Sequence, residues 1–209
     1  MSIDSITAEG LSLEGAGTFL VEDLDLHIRS GEMLGITGPS GSGKTTLLYA
    51  IGGLLPAARG QLLVDGRPLT LWKEASVGLI FQNLCLVPLL TAQETVALPL
   101  QAKGVARAEV ADRSTAALSA LGLADHTAQL VGDLSGGQRQ RVAVARALAS
   151  RPEVILADEP TSALDEHWRE VVLDLLRTES KRGRVIIVAS SDMEVIAVCD
   201  EVISLAAAG

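Results

Sequence analysis

Residues 38–45 are Gly38-Pro39-Ser40-Gly41-Ser42-Gly43-Lys44-Thr45, and this stretch decides the fold. An apolar strand is predicted before it, at residues 33–37, and a helix after it, at 45–51. Glycines let the backbone turn with its N–H groups facing inward, and the helix N-terminus adds positive potential. We expect Lys44 to reach the β- and γ-phosphates of a nucleotide and the Thr45 hydroxyl to bind Mg²⁺. The predicted cofactor contacts in this stretch are Gly38, Pro39, Ser40, Gly41, Ser42, Gly43, Lys44, Thr45 and Thr46.

The composition narrows the class of protein around this loop. The chain has 209 residues, a formal net charge of −9, 48% hydrophobic residues and only 2% aromatic residues. Its length fits one domain with a large core. The acidic balance argues against a general nucleic-acid binder, so no nucleic-acid partner is expected. Aliphatic residues supply most of the apolar content, which favours buried parallel strands covered by helices.

Two segments bear on membranes and compartment. The first twenty residues lack Lys and Arg and an apolar core, so no signal peptide is predicted. Residues 75–93 carry no charge, but they include several polar side chains and Pro88, which predicts a buried strand at 77–81 and a loop rather than a span. Cys85 and Cys199 have no metal-site spacing and are expected to be reduced thiols. These observations predict a cytoplasmic protein.

The remaining pattern alternates strands with helices. A hairpin is predicted at 60–71 with its turn at Asp65-Gly66, helices at 110–121 and 136–149, and a further helix whose apolar face runs from Trp168 to Leu176 and which closes at 181–183. Buried strands are predicted at 154–157 and 185–189, and a last strand at 202–205. Asp192 is expected to cap a last helix. Such alternation indicates an α/β fold whose parallel sheet has helices on both faces.

A second candidate site element is the pair Asp158-Glu159 at the end of the strand predicted at 154–157. Asp158 is expected to bind Mg²⁺ beside the phosphate loop, and Glu159 to polarise a water for attack on the γ-phosphate. With the phosphate loop, this pair indicates an Mg-nucleotide enzyme. Kinases and GTPases remain open at this point.

The pentapeptide Leu134-Ser135-Gly136-Gly137-Gln138 narrows the choice. The pair Phe81-Gln82, this pentapeptide and residues 158–165 follow one another along the chain in the order typical of the ATP-binding cassette (ABC) ATPases. Nearly the whole chain resembles that family. The resemblance implies ATP and Mg as cofactors, with Thr45, Gln82 and Asp158 at the metal. It also implies that Ser135, Gly136, Gly137 and Gln138 face the γ-phosphate bound by a second subunit. Gln82 would touch the metal or the attacking water and sense a membrane partner, and Asp165 would bridge the subunits.

The resemblance also implies an organisation. It predicts a P-loop NTPase core with a mostly parallel sheet (31–57, 73–87 and 146–209), an N-terminal antiparallel β-subdomain (1–30 and 58–72) and an ABC-type helical subdomain (88–145). The partners would be a membrane permease and a second ATPase subunit, in a homodimer or a heterodimer. The chain would then lie on the inner face of the cell membrane through the permease. Residues 91–100 resemble short ATPases of the lipoprotein-release and macrolide-efflux type, or they simply pack the helical subdomain.

One departure from the family concerns hydrolysis. A Thr-His-Asp turn is expected after the strand at 185–189, but the chain has Ser190-Ser191-Asp192. Ser191 takes the position of the switch histidine, and a hydroxyl is shorter and carries no positive charge. The three histidines, His27, His126 and His167, are predicted to be surface residues rather than substitutes. We hypothesise slow hydrolysis, or one weak site in an asymmetric dimer.

Two other departures concern the base and a connector. The family's adenine-stacking aromatic is missing from residues 14–17, and Phe19 and Tyr49 are expected in the core, so base selectivity is predicted to be loose. Residues 65–82 form a short connection in which Trp72 is expected to cap the hairpin rather than face a partner.

Three functions follow from these residues. The leading hypothesis is a transport motor in which ATP closes a dimer and a separate permease moves. The alternative is a regulatory ATPase that signals through a membrane partner, as in ABC relatives of cell division. A small-molecule kinase is disfavoured because it has no use for the Leu134–Gln138 pentapeptide.

Overall fold

The computed structural model describes residues 3–15, 17–69 and 77–206. Trp72 lies outside the described residues, so its predicted place over the hairpin stays a prediction. Among the described residues, no helix is both long and apolar enough to cross a membrane. The uncharged window instead contributes a strand at Val77–Ile80, one residue shorter than predicted, and the loop that follows it.

The first sheet is antiparallel, in the order β2-β1-β4-β5. Its strands are β1 (Ser5–Gly15), β2 (Thr18–Arg29), β4 (Arg59–Val64) and β5 (Arg67–Pro68). The predicted hairpin turn is confirmed: Asp65 and Gly66 have φ of +50° and +70°, which match a two-residue turn with two left-handed residues. Gly60 also has a positive φ, and a Cβ there would lie 2.3 Å from the Gly10 carbonyl oxygen. Strands β1 and β4 therefore approach too closely for any side chain at this position.

The second sheet is parallel, in the order β6-β7-β8-β3-β9. Its strands are β3 (Met33–Thr37), β6 (Val77–Ile80), β7 (Val154–Asp158), β8 (Val185–Ala189) and β9 (Glu201–Ser204). Strands β7 and β8 are buried along their whole length. Alternate residues of β7 enter different cores: Ile155 packs with the helices around residues 92–149, and Leu156 packs with the first helix and the antiparallel sheet. The predicted α/β fold is confirmed.

Four of the helices begin at a residue whose side chain caps them. They are α1 (Lys44–Ile51), α2 (Ala92–Ala102), α3 (Arg107–Ala120), α4 (Gly136–Ala149), α5 (Glu166–Lys181) and α6 (Met193–Ile196). Thr91 and Ser135 each form a reciprocal capping box with the residue three positions on, and Asp165 and Asp192 cap α5 and α6. The helix predicted from Thr45 begins one residue earlier, at Lys44. The boundaries of the three predicted subdomains stay predictions.

Candidate nucleotide-binding site

The glycine-rich loop joins β3 to α1 and folds as its chemistry requires. Gly38, Gly41 and Gly43 have φ of +148°, +80° and +92°, a region that side chains disfavour. A Cβ on Gly38 would lie 2.5 Å from the Leu205 carbonyl oxygen. The Lys44 ammonium closes the loop by donating to the carbonyl oxygens of Gly38 and Pro39, at 2.8 and 3.0 Å. These bonds hold the ammonium against the backbone at the start of the loop.

The loop also contains a buried hydroxyl with a free donor. Ser42 is 1% exposed, and its Oγ has no hydrogen-bond partner among the described residues. A buried hydroxyl without a partner costs free energy. A phosphate oxygen in the loop would supply an acceptor, so this orphan group fits an anion site.

Asp158, at the end of β7, lies within hydrogen-bond distance of Thr45. Its carboxylate is 1% exposed and accepts a hydrogen bond of 2.8 Å from the Thr45 hydroxyl. Burial raises the pKa of the Asp158 carboxyl above its ordinary value and the charge of Glu159 adds to this, while the Thr45 bond and the Lys44 charge oppose it. A hydroxyl beside a carboxylate is the donor set that Mg²⁺ prefers, so these two residues fit that metal.

Glu159, the next residue, has a strained backbone, and residues at the end of β8 hold it through hydrogen bonds. Its φ is +48°, and its N–H donates to the Ala189 carbonyl oxygen at 2.8 Å. Its Oε1 accepts from both the N–H and the Oγ of Ser191, each at 2.8 Å, and its Oε2 accepts from Ser190 Oγ at 2.9 Å. The hydroxyl of Ser191 is thus bonded to Glu159, a partner that the sequence did not predict.

One cavity of about 310 Å³ brings most of the predicted site together. Its walls include Ser40, Gly41, Gly43, Lys44, Thr45, Thr46, Gln82, Asp158, Glu159 and Ser191, with Leu20 of β2 as an addition. Leu20 has no sequence signal, because it is one apolar residue of an alternating strand. Within the described chain, no aromatic side chain lines this cavity. The signature segment, residues 135–138, and Asp165 do not line it either.

The signature segment instead forms a solvent-facing helix N-terminus. Ser135 and Gly136 are exposed, and a Cβ on Gly136 would meet open space. Gln138 N–H donates to Ser135 Oγ at 3.2 Å, and Ser135 N–H donates to Gln138 Oε1 at 2.8 Å. Asp165, also exposed, caps α5 by accepting from the Trp168 N–H at 2.9 Å. Both elements present polar groups away from this chain's own cavity.

A buried glutamine connects α4 to the catalytic end of β7. Gln140 is 2% exposed, and its Nε2 donates to the carbonyl oxygens of Pro160 at 2.7 Å and Glu159 at 3.4 Å. The helix that begins at the signature segment is therefore bonded, one turn later, to the peptide that follows Glu159.

The loop after β6, which carries Gln82, is held by an arginine of α4. Arg146 donates to the carbonyl oxygens of Leu84 and Cys85 at 2.9 and 2.7 Å, and its guanidinium lies 6.0 Å from the Phe81 ring centre. Leu84 and Cys85 both have positive φ, of +61° and +45°. A bidentate guanidinium thus stabilises two consecutive strained residues beside Gln82.

The structure corrects two predictions about side chains outside the cavity. His126 is not a surface residue: it is half-buried and contacts the signature segment, whereas His27 and His167 are exposed as predicted. Phe19 is not in the strand core: it is half-buried, with the Arg59 guanidinium 4.9 Å above its ring. Tyr49 packs only partly buried against the core, edge-on to Phe81 at 5.7 Å.

The glycine-rich loop between a strand and a helix places Lys44 and Thr45 beside a buried aspartate. This arrangement defines a nucleotide-binding protein of the phosphate-loop class. The family model described as ABC transporter matches residues 21–162. The chain belongs to the ABC transporter family, as an ATP-binding protein.

Individual relatives agree with this assignment. The chain is 42% identical over 199 residues to the methionine import ATP-binding protein MetN of Thermobifida fusca, covering 91% of this chain and 62% of the relative. It is 41% identical over 193 residues to the uncharacterised ABC transporter ATP-binding protein Rv2564 of Mycobacterium tuberculosis, covering 88% and 58%. The chain thus spans about three fifths of the length of these relatives.

A solved structure shows the same fold. The dimeric, post-hydrolysis state of the ATP-binding cassette MJ0796, bound to ADP and Pi, superposes with a TM-score of 0.87 at 34% identity, covering 96% of this chain and 94% of that chain. The likeness of residues 91–100 to lipoprotein-release and macrolide-efflux ATPases stays a prediction.

Proposed function

We propose that this chain binds Mg-ATP and hydrolyses it at composite sites formed by two cassettes in head-to-tail contact, and that this cycle drives a separate membrane permease. The observation that carries the proposal is the separation of the two halves of the site. The cavity holds the phosphate loop, Asp158 and Glu159, while the signature segment is a capped, exposed helix N-terminus outside it. A helix N-terminus with glycines is an anion-binding group, so a second copy would complete the site.

The phosphate loop would hold ATP through its own groups. The backbone amides of the glycine-rich loop, the Lys44 ammonium and the Ser42 hydroxyl, which has no partner among the described residues, would be the donors for the β- and γ-phosphates. Thr45 and Asp158 would hold Mg²⁺ together with Gln82, which lines the same cavity. The ion would neutralise charge between the phosphates when bound. Among the described residues no aromatic ring lines the cavity, and loose selectivity for the base is proposed on that ground.

Glu159 would orient the attacking water, but few of its carboxylate lone pairs are free to accept from that water. A carboxylate oxygen has two lone pairs, and both on Oε1 are engaged by Ser191. Oε2 receives one bond, from Ser190, so one position remains on that oxygen to accept from water. Because the Ser191 hydroxyl donates to Glu159, it leaves the γ-phosphate without the donor that the family's histidine supplies. These bonds support slow hydrolysis.

The permease would meet the loop after β6. Val87 and Leu89 are 49% and 81% exposed, and Leu130, on the neighbouring segment, is 39% exposed. The two segments are joined by backbone bonds from Val131 to Leu90 and from Gly132 to Pro88. An exposed apolar patch of this kind marks a protein contact. It lies on the loop that carries Gln82, which would connect the permease to the ATP site and place the chain on the inner face of the membrane.

The test uses the purified chain with Mg-ATP. We expect ATP to convert monomers into dimers in sedimentation velocity, most completely in a Glu159→Gln variant that cannot use water. We expect Lys44→Ala to abolish dimers and turnover. A Glu159→Gln chain that binds ATP but stays monomeric at all concentrations would refute the proposal.

The regulatory alternative keeps the same ATP cycle without transport. The Ser191–Glu159 bond favours it to the extent that slow turnover suits a signal. Reconstitution with the permease in vesicles separates the two: ATP-dependent substrate flux supports the motor, while stimulated ATPase without flux supports the regulator.

A further inference from the structure

We propose that His126 is a positioning residue for the signature segment, acting through Gln138. The proposal rests on the proposed function, because the signature segment matters only where it faces a partner's ATP. His126 lies in the short turn that precedes α4 by nine residues, and it is half-buried against that helix.

Three side chains and two backbone groups form one continuous chain of hydrogen bonds. Gln129 Nε2 donates to the Asp133 carbonyl oxygen at 3.1 Å, and Gln129 Oε1 lies 2.8 Å from His126 Nδ1. On the other side, His126 Nε2 lies 3.1 Å from Gln138 Nε2. Gln138 Oε1 accepts from Ser135 N–H at 2.8 Å. This set, which we term the His126 network, ends at the first residue of the signature segment.

The two ends of the network fix its direction. The Asp133 carbonyl can only accept and the Ser135 N–H can only donate, so neither amide in between has a choice of orientation. Gln129 Oε1 must therefore accept from His126 Nδ1–H, and His126 Nε2 must accept from the Gln138 amide. The network requires a neutral imidazole with its proton on Nδ1.

This direction determines what Ser135 offers to a ligand. With its amide nitrogen bonded to His126, Gln138 presents its oxygen to Ser135 N–H and completes the capping box. Ser135 Oγ accepts from Gln138 N–H, so the proton of the Ser135 hydroxyl stays free to donate. Without an acceptor at position 126, the Gln138 amide loses its orientation, and the serine that faces the phosphate loses its support.

Two variants and a control separate positioning from simple packing. His126→Phe keeps a ring but removes the acceptor, whereas His126→Gln keeps an oxygen that reaches Gln138. His27→Phe, at an exposed histidine of β2, is the matched control. All are made in the Glu159→Gln chain, and ATP-dependent dimerisation is measured by sedimentation, with thermal melting as the check on folding.

We expect His126→Phe to raise the dimer dissociation constant roughly fivefold for each signature segment that contacts a partner's ATP, which is the typical effect of losing one hydrogen bond. His126→Gln should restore it to within about twofold, and ATP binding to the monomer should be unchanged in both, since the cavity does not include position 126. In the unsubstituted chain, ¹⁵N spectra of the imidazole should show the neutral Nδ1–H tautomer. If the Glu159→Gln chain forms dimers and adding His126→Phe leaves them undiminished, the inference about His126 is wrong while the proposed function stands. An Nε2–H tautomer in the unsubstituted chain would have the same meaning. Absence of dimers in the parent would instead refute the proposed function.

Discussion

On the proposed function, replacing Ser191 by histidine should accelerate ATP turnover, because the Ser191 hydroxyl is bonded to Glu159 and so is not free to donate to the γ-phosphate. That hydroxyl donates to Glu159 Oε1 at 2.8 Å, while the backbone N–H of Ser191 makes a second bond to the same oxygen. The substitution removes the first bond and keeps the second, so Glu159 stays in place with one more lone pair free. The longer ring can then bring an N–H donor toward the γ-phosphate.

The expected rise in kcat follows from the N–H donor that the histidine adds. A hydrogen bond to a charged group contributes about 1.5–3 kcal/mol, which corresponds to roughly 10- to 100-fold in rate if the bond forms mainly in the transition state. We therefore expect kcat to rise at least about tenfold and KM for ATP to change less than about threefold. Ser191→Ala frees the lone pair without adding a donor, so its kcat should stay within about threefold of the parent.

The assay is steady-state phosphate release at protein concentrations where the dimer forms. Ser119→His, at an exposed serine of α3, is the matched control for adding an imidazole and should leave kcat unchanged. Equal, fast turnover in the unsubstituted chain and Ser191→His would refute the reasoning, because position 191 would then have no part in hydrolysis.

The remaining predictions concern stability, thiol chemistry and the loop after β6. Gly60→Ala should lower the free energy of unfolding by more than about 2 kcal/mol, whereas Gly66→Ala, with similar φ but open space, should cost about 1 kcal/mol; equal denaturant midpoints would contradict the close approach. Burial raises the pKa of the Cys199 thiol to about 11, so at pH 8 a maleimide should label exposed Cys85 first and Cys199 only on unfolding. Arg146→Lys replaces the two nitrogens that bond the Leu84 and Cys85 carbonyls by one ammonium on a more flexible side chain, so limited proteolysis should cut residues 82–90 faster, and an unchanged rate would count against the bidentate contact.

The sequence predicts those parts of the site whose residues lie next to one another along the chain. The loop from Gly38 to Thr45 needs its residues in one order between a strand and a helix, so spacing alone located it. Asp158 followed from its place at the end of a buried strand. The parallel sheet followed from apolar runs alternating with helices, and its register places Asp158 opposite Ala189.

The contacts that the sequence did not predict join short side chains across elements. Ser191 bonds Glu159 because β7 and β8 end side by side, and nothing in a serine indicates which neighbour its hydroxyl will find. The sequence predicts a surface position for His126, yet the turn folds it onto Gln138. It also predicts that Phe19 lies in the strand core, but β2 is at the edge of the first sheet, and the Phe19 ring is half-buried under Arg59.

The bond from Gln140 to the peptide after Glu159 has a consequence for how two ATP molecules would be consumed. In the proposed head-to-tail pair, the helix that each chain would present to its neighbour's nucleotide is also bonded, through Gln140, to the backbone carbonyl oxygens of that chain's own Glu159 and Pro160. A shift of the Glu159 backbone on phosphate release would then move the helix that faces the opposite nucleotide. Turnover should then depend on ATP with a Hill coefficient different from one, and a pair with one disabled loop should retain much less than half of its rate.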